Sequence, residues 1–246
     1  MSVRVERLED RAVVTLDRPE VRNAIDADTV EQLHAVCAEL ERDPAPMILT
    51  GGPDIFAAGA DIAELRARGR SDALAGINSG LFDRIAKLPM PTVAALGGPA
   101  IGGGAELAYA CDFRIGTQRS MFGNPEGQLG ILAAAGAAWR LGELVGEPVA
   151  KEMLLAGRVL SAEEALSLRL LNDLVDAEDL ISAAHGWVDR ILEHAPLALR
   201  LTKLALRTPR EAHPLVDDLA QAVLFETEEK EKRMDAFLTR RASRKP

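Results

Sequence analysis

An α/β fold with a helical C-terminal region is predicted by three features of the sequence. In the first 175 residues, short apolar or alternating segments typical of strands take turns with segments whose apolar residues recur at helical spacing. From Asp176 onward only the helical spacing remains. The chain has 246 residues, 48% of them hydrophobic, which is enough for one large core and a smaller appendage. We expect a core over residues 1–190 and a helical region over residues 191–246.

The first elements are predicted to be a hairpin, a helix and a buried strand. VRVERLE and RAVVTLD flank Glu9-Asp10 as two alternating strands, and the turn RPEVRN follows them. A helix begins at Asp26, with acidic residues near its start and apolar residues at helical spacing. PMILTG is then a short buried strand, which Gly51-Gly52-Pro53 ends.

The middle of the core contains two small-residue turns, each between a strand and a helix. DIFAAGADIAELRARG begins as a loop and becomes a helix near Asp61. DALAGINSGLFDRIAKLP is predicted as one helix, stopped by Pro89 and Pro91, and PTVAAL is an apolar strand. This strand leads into GGPAIGGGAELAYACD, in which five glycines precede a helix that contains Glu106.

The second half of the chain changes gradually from strands to helices. DFRIGT and SMFG are predicted strands, and FGNPEGQLG is predicted to be an irregular loop. AAGAAWRLGELVG and PVAKEMLLAG are predicted helices, SAEEALSL begins with a Ser161/Glu164 capping box, and LNDLV is one more short strand. The last helix is predicted to be long and highly charged, from about Pro214 to Arg241.

The composition argues against several classes of partner. The formal net charge of −9 makes nucleic acid and anionic membrane surfaces unfavourable partners. No apolar run approaches the ~18 residues that span a membrane, and the N-terminal strand pattern contains no apolar signal core. Cys37 and Cys111 are too few for a disulfide framework and lack metal-ligand spacing. We expect a cytoplasmic protein without a membrane or nucleic-acid partner.

Several kinds of catalytic site are unsupported by the sequence. None of the four histidines lies beside a glycine-rich turn, which argues against a serine or cysteine nucleophile activated by imidazole. HExxH, CxxC and an Asp-rich calcium loop are all missing, so we expect no built-in metal site. A phosphate-binding loop requires Lys-Ser/Thr after its last glycine, and Ala105-Glu106 follows the glycine cluster instead. The spacing of the glycines also does not match the dinucleotide-binding fingerprint.

The two small-residue turns instead favour an oxyanion site. A helix N-terminus presents free backbone N–H groups, and glycines let a ligand oxygen approach them closely. Such preorganised donors stabilise negative charge that develops during a reaction. Glu106 then lies in an otherwise apolar first helical turn, and Glu126 lies 20 residues later in a loop. A carboxylate in an apolar segment is costly to bury, which makes Glu106 a candidate catalytic residue.

The sequence as a whole resembles the crotonase family, the enoyl-CoA hydratase/isomerase superfamily. The resemblance rests on LDRPEVRNAID, FAAGADI, AIGGGAELAYACDFRIG and SMFGNPEGQLGI, which occur in the family's order. It covers nearly the whole chain, including the C-terminal EEKEKRMDAFLTRR. The family fold is a spiral of ββα repeats with a helical C-terminal trimerisation region. The resemblance therefore implies a homotrimer or a homohexamer built as a dimer of trimers.

The resemblance also implies the substrate and the roles of several residues. An acyl-CoA thioester would place its carbonyl oxygen on the N–H groups of Ala60 and Gly103. Glu106 would deprotonate a water molecule that adds to Cβ, and Glu126 would deliver a proton to Cα. No metal or separate cofactor is implied, because coenzyme A is part of the substrate. The residues implied to contact substrate or CoA are Arg22, Ala58, Ala60, Asp61, Ile62, Ala63, Gly103, Ala134 and, reaching a neighbour's site, Arg240.

Within this resemblance, the presence of both glutamates implies an enoyl-CoA hydratase, which makes a 3-hydroxyacyl-CoA from a trans-2-enoyl-CoA. A helix N-terminus is expected to lower the pKa of Glu106, while burial and a nearby like charge raise the pKa of one of the two glutamates. Two departures leave alternatives open: Ala133-Ala134 replaces a usual Pro-Gly, and Trp139 is expected to narrow the acyl pocket. The alternatives are a Δ3,Δ2-enoyl-CoA isomerase that uses mainly Glu126, and an acyl-CoA-binding protein without turnover.

Overall fold

The computed structural model of the protein describes residues 2–243. The strands are β1 (Val3–Arg7), β2 (Ala12–Leu16), β3 (Met47–Thr50), β4 (Thr92–Leu96), β5 (Ala100–Ile101), β6 (Phe113–Gly116), β7 (Phe122–Gly123) and β8 (Asp173–Leu174). The helices are α1 (Ala27–Arg42), α2 (Ile62–Ala67), α3 (Arg70–Ala75), α4 (Ile77–Ala86), α5 (Gly103–Ala110), α6 (Ala137–Val145), α7 (Glu147–Ala156), α8 (Ala162–Ser167), α9 (Leu180–Leu192), α10 (Pro196–Arg207), α11 (Leu215–Phe225) and α12 (Glu228–Ala242).

Six strands form one sheet in the order β1-β2-β3-β4-β6-β8. The β1–β2 hairpin is antiparallel, with Val5 opposite Val14, and every later pair in this sheet is parallel. The short strands β5 and β7 form a separate parallel pair. Along the chain, β4 is followed by β5 and α5, and β6 is followed by β7 and α6. Each of these repeats thus places a helix after a short strand that lies outside the main sheet.

The helix α1 covers the main sheet with one apolar face. The Asp26 carboxylate accepts a hydrogen bond from the Thr29 N–H at 2.8 Å, so the helix begins where the sequence predicts. Its buried residues recur at helical spacing: Val30, Leu33, Val36, Cys37 and Leu40. Cys37 and Cys111 are both buried. The core beneath α1 is therefore apolar, as the strand and helix patterns indicate.

Arg114 fixes the C-terminal end of α5 although its side chain is buried. Its guanidinium donates to the carbonyl oxygens of Cys111 at 2.6 Å, Leu170 at 2.7 Å and Ala108 at 3.3 Å. Carbonyl groups at the end of a helix have no partner within the helix, and a cation there is favourable. Arg114 therefore anchors the helix that begins at the glycine cluster.

Three predicted elements differ from the structure. The single helix predicted over DALAGINSGLFDRIAKLP is two helices, because Gly76 has a φ of 65° and ends α3 before α4 begins. The long helix from Pro214 to Arg241 is also two helices, and the Thr227 side chain caps the second one by accepting from the Lys230 N–H at 3.3 Å. The loop that contains Glu126 is a 3-10 helix over Pro125–Leu129.

The chain divides into two units at Asp189 and Arg190. In the second unit, Arg233 donates to the Glu193 carbonyl oxygen at 2.7 Å, which joins α12 to the segment before α10. The helices α11 and α12 expose many large apolar side chains: Leu215, Leu219, Val223, Phe225, Met234, Phe237 and Leu238. Within residues 2–243, no helix combines the length and the apolar character that crossing a membrane requires.

Candidate active site

The two small-residue turns of the sequence lie side by side. Ala57 and Ala100 form a parallel bridge, and the Ile101 N–H donates to the Ala57 carbonyl oxygen at 3.0 Å. On its other side, the first turn pairs with the segment after β2, because the Ile25 N–H donates to the Gly59 carbonyl oxygen at 2.8 Å. The turn around Gly59 is therefore held between two backbone segments.

The N–H groups of Ala60 and Gly103 lie close together and have no protein acceptor within the described residues. A Cβ atom on Gly103 would lie 3.4 Å from the Ala60 nitrogen, and one on Gly59 would lie 3.5 Å from the Gly103 nitrogen. Gly103 is the first residue of α5, so its N–H is one of the donors that a helix leaves free. The two donors are thus available to a single ligand oxygen.

Glu106 is buried, with 3% of its surface exposed, in the first turn of α5. Its Oε1 accepts hydrogen bonds from the N–H groups of Ala135 at 2.8 Å and Ala137 at 3.0 Å. Burial is the main cause that raises the pKa of Glu106 to about 7, and the nearby Glu126 raises it further. The backbone N–H groups oppose this shift because they stabilise the charged carboxylate.

Glu126 is also buried and belongs to a chain of polar side chains. The Tyr109 hydroxyl donates to Asn124 Oδ1 at 3.1 Å, and Asn124 Nδ2 lies 3.4 Å from Glu126 Oε1. Within residues 2–243, Glu126 Oε2 has no hydrogen-bond partner. Burial raises the pKa of Glu126 above its usual value. Both glutamates therefore have raised pKa values, although the sequence predicts a rise for only one of them.

Both carboxylates line one cavity of about 470 Å³. Five of the predicted substrate contacts also line it: Ala58, Ala60, Ile62, Gly103 and Ala134. Apolar side chains form much of the remaining wall: Leu65, Ile77, Leu129, Ile131 and Leu132. The structure thus brings the candidate acids, the candidate oxyanion donors and an apolar wall together around one space.

Four predicted contacts are not part of this wall. Arg22 has a positive φ of 56° and accepts the Ala58 N–H on its carbonyl oxygen at 3.0 Å. Asp61 caps α2 by accepting from the Ala63 N–H at 2.9 Å, and Ala63 is exposed. Arg240 belongs to the second unit, where it is exposed on α12. Their proposed roles toward CoA remain predictions.

Trp139 does not narrow the cavity as the sequence suggests. Its side chain is 50% exposed, is not among the cavity-lining residues, and lies 4.0 Å from the guanidinium carbon of Arg140. Trp139 lies in α6, and its side chain points to the surface. This departure from the family pattern therefore gives no reason to expect a smaller acyl site.

Several residues that organise the site were not found from the sequence. Buried Asn23 donates to the carbonyl oxygens of Gly51 at 2.8 Å and Phe56 at 3.1 Å, which fixes the segment before the first turn. Tyr109 and Asn124 support Glu126. Asn23 carries a signal that could have found it, since asparagine is one of the few non-glycine residues that favour a positive φ, here 55°.

We expect Tyr109→Phe to reduce turnover moderately. The substitution keeps the aromatic packing against Phe122 but removes the hydroxyl that fixes the Asn124 amide. One neutral hydrogen bond contributes about 1 kcal/mol, so kcat should fall roughly 5-fold. Steady-state kinetics with an enoyl-CoA would measure this, together with the melting temperature. An unchanged kcat would mean that Tyr109 has only a packing role.

The raised pKa of Glu106 predicts a pH-dependent difference in stability between the protein and Glu106→Gln. A carboxyl whose pKa is higher in the folded state favours folding below its unfolded pKa, near 4.5, and loses this contribution as pH rises to about 7. Between pH 4.5 and 7.5 we expect the unfolding free energy of the variant to rise relative to the parent by about 3 kcal/mol. Urea titrations at several pH values measure it. Parallel stability curves for the two proteins would contradict the assignment.

Comparisons with known proteins show the family to which the chain belongs. The family model described as enoyl-CoA hydratase/isomerase matches residues 8–244. The chain is 35% identical to a short-chain-enoyl-CoA hydratase of Clostridium acetobutylicum, over 94% of this chain and 92% of that protein. It is also 35% identical to a crotonyl-CoA hydratase of Syntrophomonas wolfei, over 96% and 95% of the two chains.

A solved structure confirms the predicted fold. The crystal structure of an enoyl-CoA hydratase from Bacillus anthracis matches with a TM-score of 0.91 and 28% identity, covering 98% of this chain and 97% of that one. The crotonase spiral predicted from the motifs is therefore correct. A family match over nearly the whole length, together with relatives above 30% identity, establishes that the chain is a member of the enoyl-CoA hydratase/isomerase family.

Proposed function

We propose that this chain is an enoyl-CoA hydratase, which adds water across the 2,3 double bond of a trans-2-enoyl-CoA to form a 3-hydroxyacyl-CoA. The observation that carries the proposal is the pair of buried carboxylates, Glu106 and Glu126, on one cavity with the free N–H groups of Ala60 and Gly103. The names of the relatives from Clostridium acetobutylicum and Syntrophomonas wolfei support the same activity.

In this mechanism the thioester oxygen accepts hydrogen bonds from Ala60 and Gly103. Negative charge grows on that oxygen as water attacks Cβ, because the electrons of the double bond move toward the carbonyl group. Backbone donors that are already oriented need no reorganisation when the charge appears. Loss of one donor of this type typically costs about 10²–10³ in rate.

The two glutamates move the protons of the reaction. Glu106 takes a proton from the attacking water, whose oxygen bonds to Cβ, and Glu126 gives a proton to Cα. The proton gained by Glu106 then replaces the one that Glu126 gave, so water is added without net change to the enzyme. A general base works best when its pKa lies near the operating pH, and the pKa of Glu106 is about 7.

No metal ion or separate cofactor takes part in the proposed reaction. The reaction transfers protons and forms a carbon–oxygen bond without oxidation or reduction of the substrate overall. The charge on the thioester oxygen is stabilised by backbone donors. Coenzyme A enters as part of the substrate.

We further propose a cytoplasmic homotrimer or a dimer of trimers. The exposed apolar residues of α11 and α12, such as Leu219 and Phe237, support contacts with other copies of the chain. In such an assembly Arg240 would reach the CoA of a neighbouring subunit. Light scattering after size-exclusion chromatography would give three or six times the mass of one chain, and a monomer would contradict the proposal.

The activity is tested by adding the purified chain to crotonyl-CoA and following the absorbance of the conjugated thioester. Loss of absorbance with formation of 3-hydroxybutyryl-CoA supports the hydratase. A second reaction with a trans-3-enoyl-CoA tests the isomerase alternative. An isomerase would convert this substrate into the conjugated thioester, so the absorbance would rise. Binding of butyryl-CoA without turnover of any enoyl-CoA would instead favour the acyl-CoA-binding protein.

A further inference from the structure

Part of the cavity wall is polar, and the proposed hydration chemistry does not use it. Arg68, which follows α2, and Asn78, in the first turn of α4, both line the cavity. The Arg68 side chain is only 18% exposed, and its Nη1 donates to Asn78 Oδ1 at 2.7 Å. Its Nη2 forms an ion pair with the Glu64 carboxylate at 3.8 Å, a separation too long for a hydrogen bond.

The Asn78 amide nitrogen is buried and has no hydrogen-bond partner within residues 2–243. The amide cannot turn over to find one, because its NH₂ group would then face the Arg68 guanidinium, which has only donors. A buried donor without an acceptor is unfavourable, because the hydrogen bond that it made to water is not replaced. The arrangement therefore matches a ligand that brings an acceptor.

The acidic groups near this pair already have backbone partners. The Asp72 carboxylate accepts from the Gly69 N–H at 2.7 Å, and the Glu64 carboxylate accepts from the Ala27 N–H at 3.0 Å. A hydrocarbon chain placed against Arg68 would remove water from its guanidinium donors without replacing those hydrogen bonds, which is costly. An oxygen atom of the substrate would replace them.

We propose that the acyl group of the substrate ends in a hydrogen-bond-accepting oxygen, in a carboxylate, carbonyl or hydroxyl group, that Arg68 and Asn78 bind. This rests on the proposed hydratase function, in which Ala60 and Gly103 hold the thioester at the same cavity. Of the predicted substrate or CoA contacts, Ala58, Ala60 and Ile62 share this cavity, whereas Arg22, Asp61 and Ala63 lie outside it, and the proposal assigns the wall at Arg68 and Asn78 to the acyl part.

The first test compares substrates that differ only at the end of the acyl chain. Six- and eight-carbon trans-2-enoyl-CoAs with a terminal methyl group are compared with analogues that carry a carboxylate there, and with the neutral methyl esters of these. We expect kcat/KM to be roughly 10- to 100-fold higher for an acceptor-ended substrate, the range expected for a charge-assisted hydrogen bond. Equal or higher kcat/KM for the methyl-ended substrates at both lengths would overturn the proposal.

The second test assigns the preference to these two residues. The preference is measured as kcat/KM for an acceptor-ended substrate divided by kcat/KM for the methyl-ended one. Arg68→Met and Asn78→Ala should each lower this ratio by roughly 10-fold, and Arg68→Lys should retain part of the preference. Arg66→Met is the matched control, because Arg66 is exposed on α2 and outside the wall. Melting temperatures identify folded variants, and Asn78→Ala serves if Arg68→Met does not fold. A ratio unchanged in the folded variants would refute the assignment.

The two proposals fail in different ways. If the parent protein hydrates neither crotonyl-CoA nor any of the longer substrates, the hydratase function itself is wrong. If it hydrates them without favouring an acceptor-ended chain, the function stands and the role given to Arg68 and Asn78 is wrong.

Discussion

Glu106→Gln and Glu126→Gln should each reduce the hydration rate by about 10²–10⁴, the usual contribution of a general acid or base. Glutamine keeps the shape of glutamate and one of its acceptor oxygens, so the N–H groups of Ala135 and Ala137 retain a partner in the first variant. What each variant loses is the ability to take or give a proton. Stopped-flow or steady-state kinetics with crotonyl-CoA measure the loss.

The matched control for these variants is Glu143→Gln. Glu143 is exposed on α6, the helix whose first residue, Ala137, donates its N–H to Glu106. The same change of charge at Glu143 should leave kcat within about 2-fold. If either active-site variant runs at the parent rate, that glutamate has no part in proton transfer. A large effect only at Glu126 would favour the isomerase alternative.

The pH dependence gives a second readout of the same pair. Burial raises the pKa of both carboxyl groups, and the two lie close enough for the charge of Glu126 to act on Glu106. Their titrations are therefore coupled, and the rate should follow a bell-shaped curve with apparent pKa values that belong to the pair. Either glutamine variant should remove one limb of that curve.

Much of this site could be predicted because the sequence marks it with residue types that have few other uses. Glycines before a helix, and a carboxylate inside an apolar segment, are costly unless they serve a purpose. The strands around them are short and apolar, so the order of the elements could also be predicted. Glu106 therefore emerges as a candidate before any coordinates are known, and Glu126 joins it through the resemblance of its loop to the family motif.

The partners of those carboxylates could not be predicted in the same way. Ala135 and Ala137 bind Glu106 through backbone N–H groups, and an alanine in a small-residue segment carries no sign of that contact. Asn78 is paired with Arg68 only because the chain breaks between α3 and α4 at Gly76, where the helical pattern appears continuous. Contacts made by backbone atoms or across a helix break leave little trace in residue type.

The glycines of the two turns are required mainly by close approach of one segment to the other. A Cβ atom on Gly98 would lie 2.0 Å from the Asp54 carbonyl oxygen, and one on Gly104 would lie 2.1 Å from the Ala57 carbonyl oxygen. Both neighbours are backbone atoms, which cannot rotate away as a side chain could. Gly103 differs, because the nearest atom to its added Cβ, the Ala60 nitrogen, is 3.4 Å away.

Gly104→Ala should therefore reduce both stability and turnover, although alanine favours helices more than glycine does. Its methyl group would force α5 away from the segment that contains Ala57 and Ala60, which separates the two oxyanion donors. We expect a loss of about 3 kcal/mol, seen as a fall in melting temperature of roughly 6–12 °C, and a fall in kcat of at least about 10²-fold.

The comparison with Gly142→Ala decides whether close approach is the cause. Gly142 lies inside α6, where an added Cβ meets no atom within 4 Å, so alanine there should leave stability unchanged or raise it by about 0.5–1 kcal/mol. If Gly104→Ala behaved like Gly142→Ala, α5 could move without cost and its glycine would not set the spacing. A loss at Gly104 alone would mean that the separation of the Ala60 and Gly103 donors is fixed by the absence of a single methyl group.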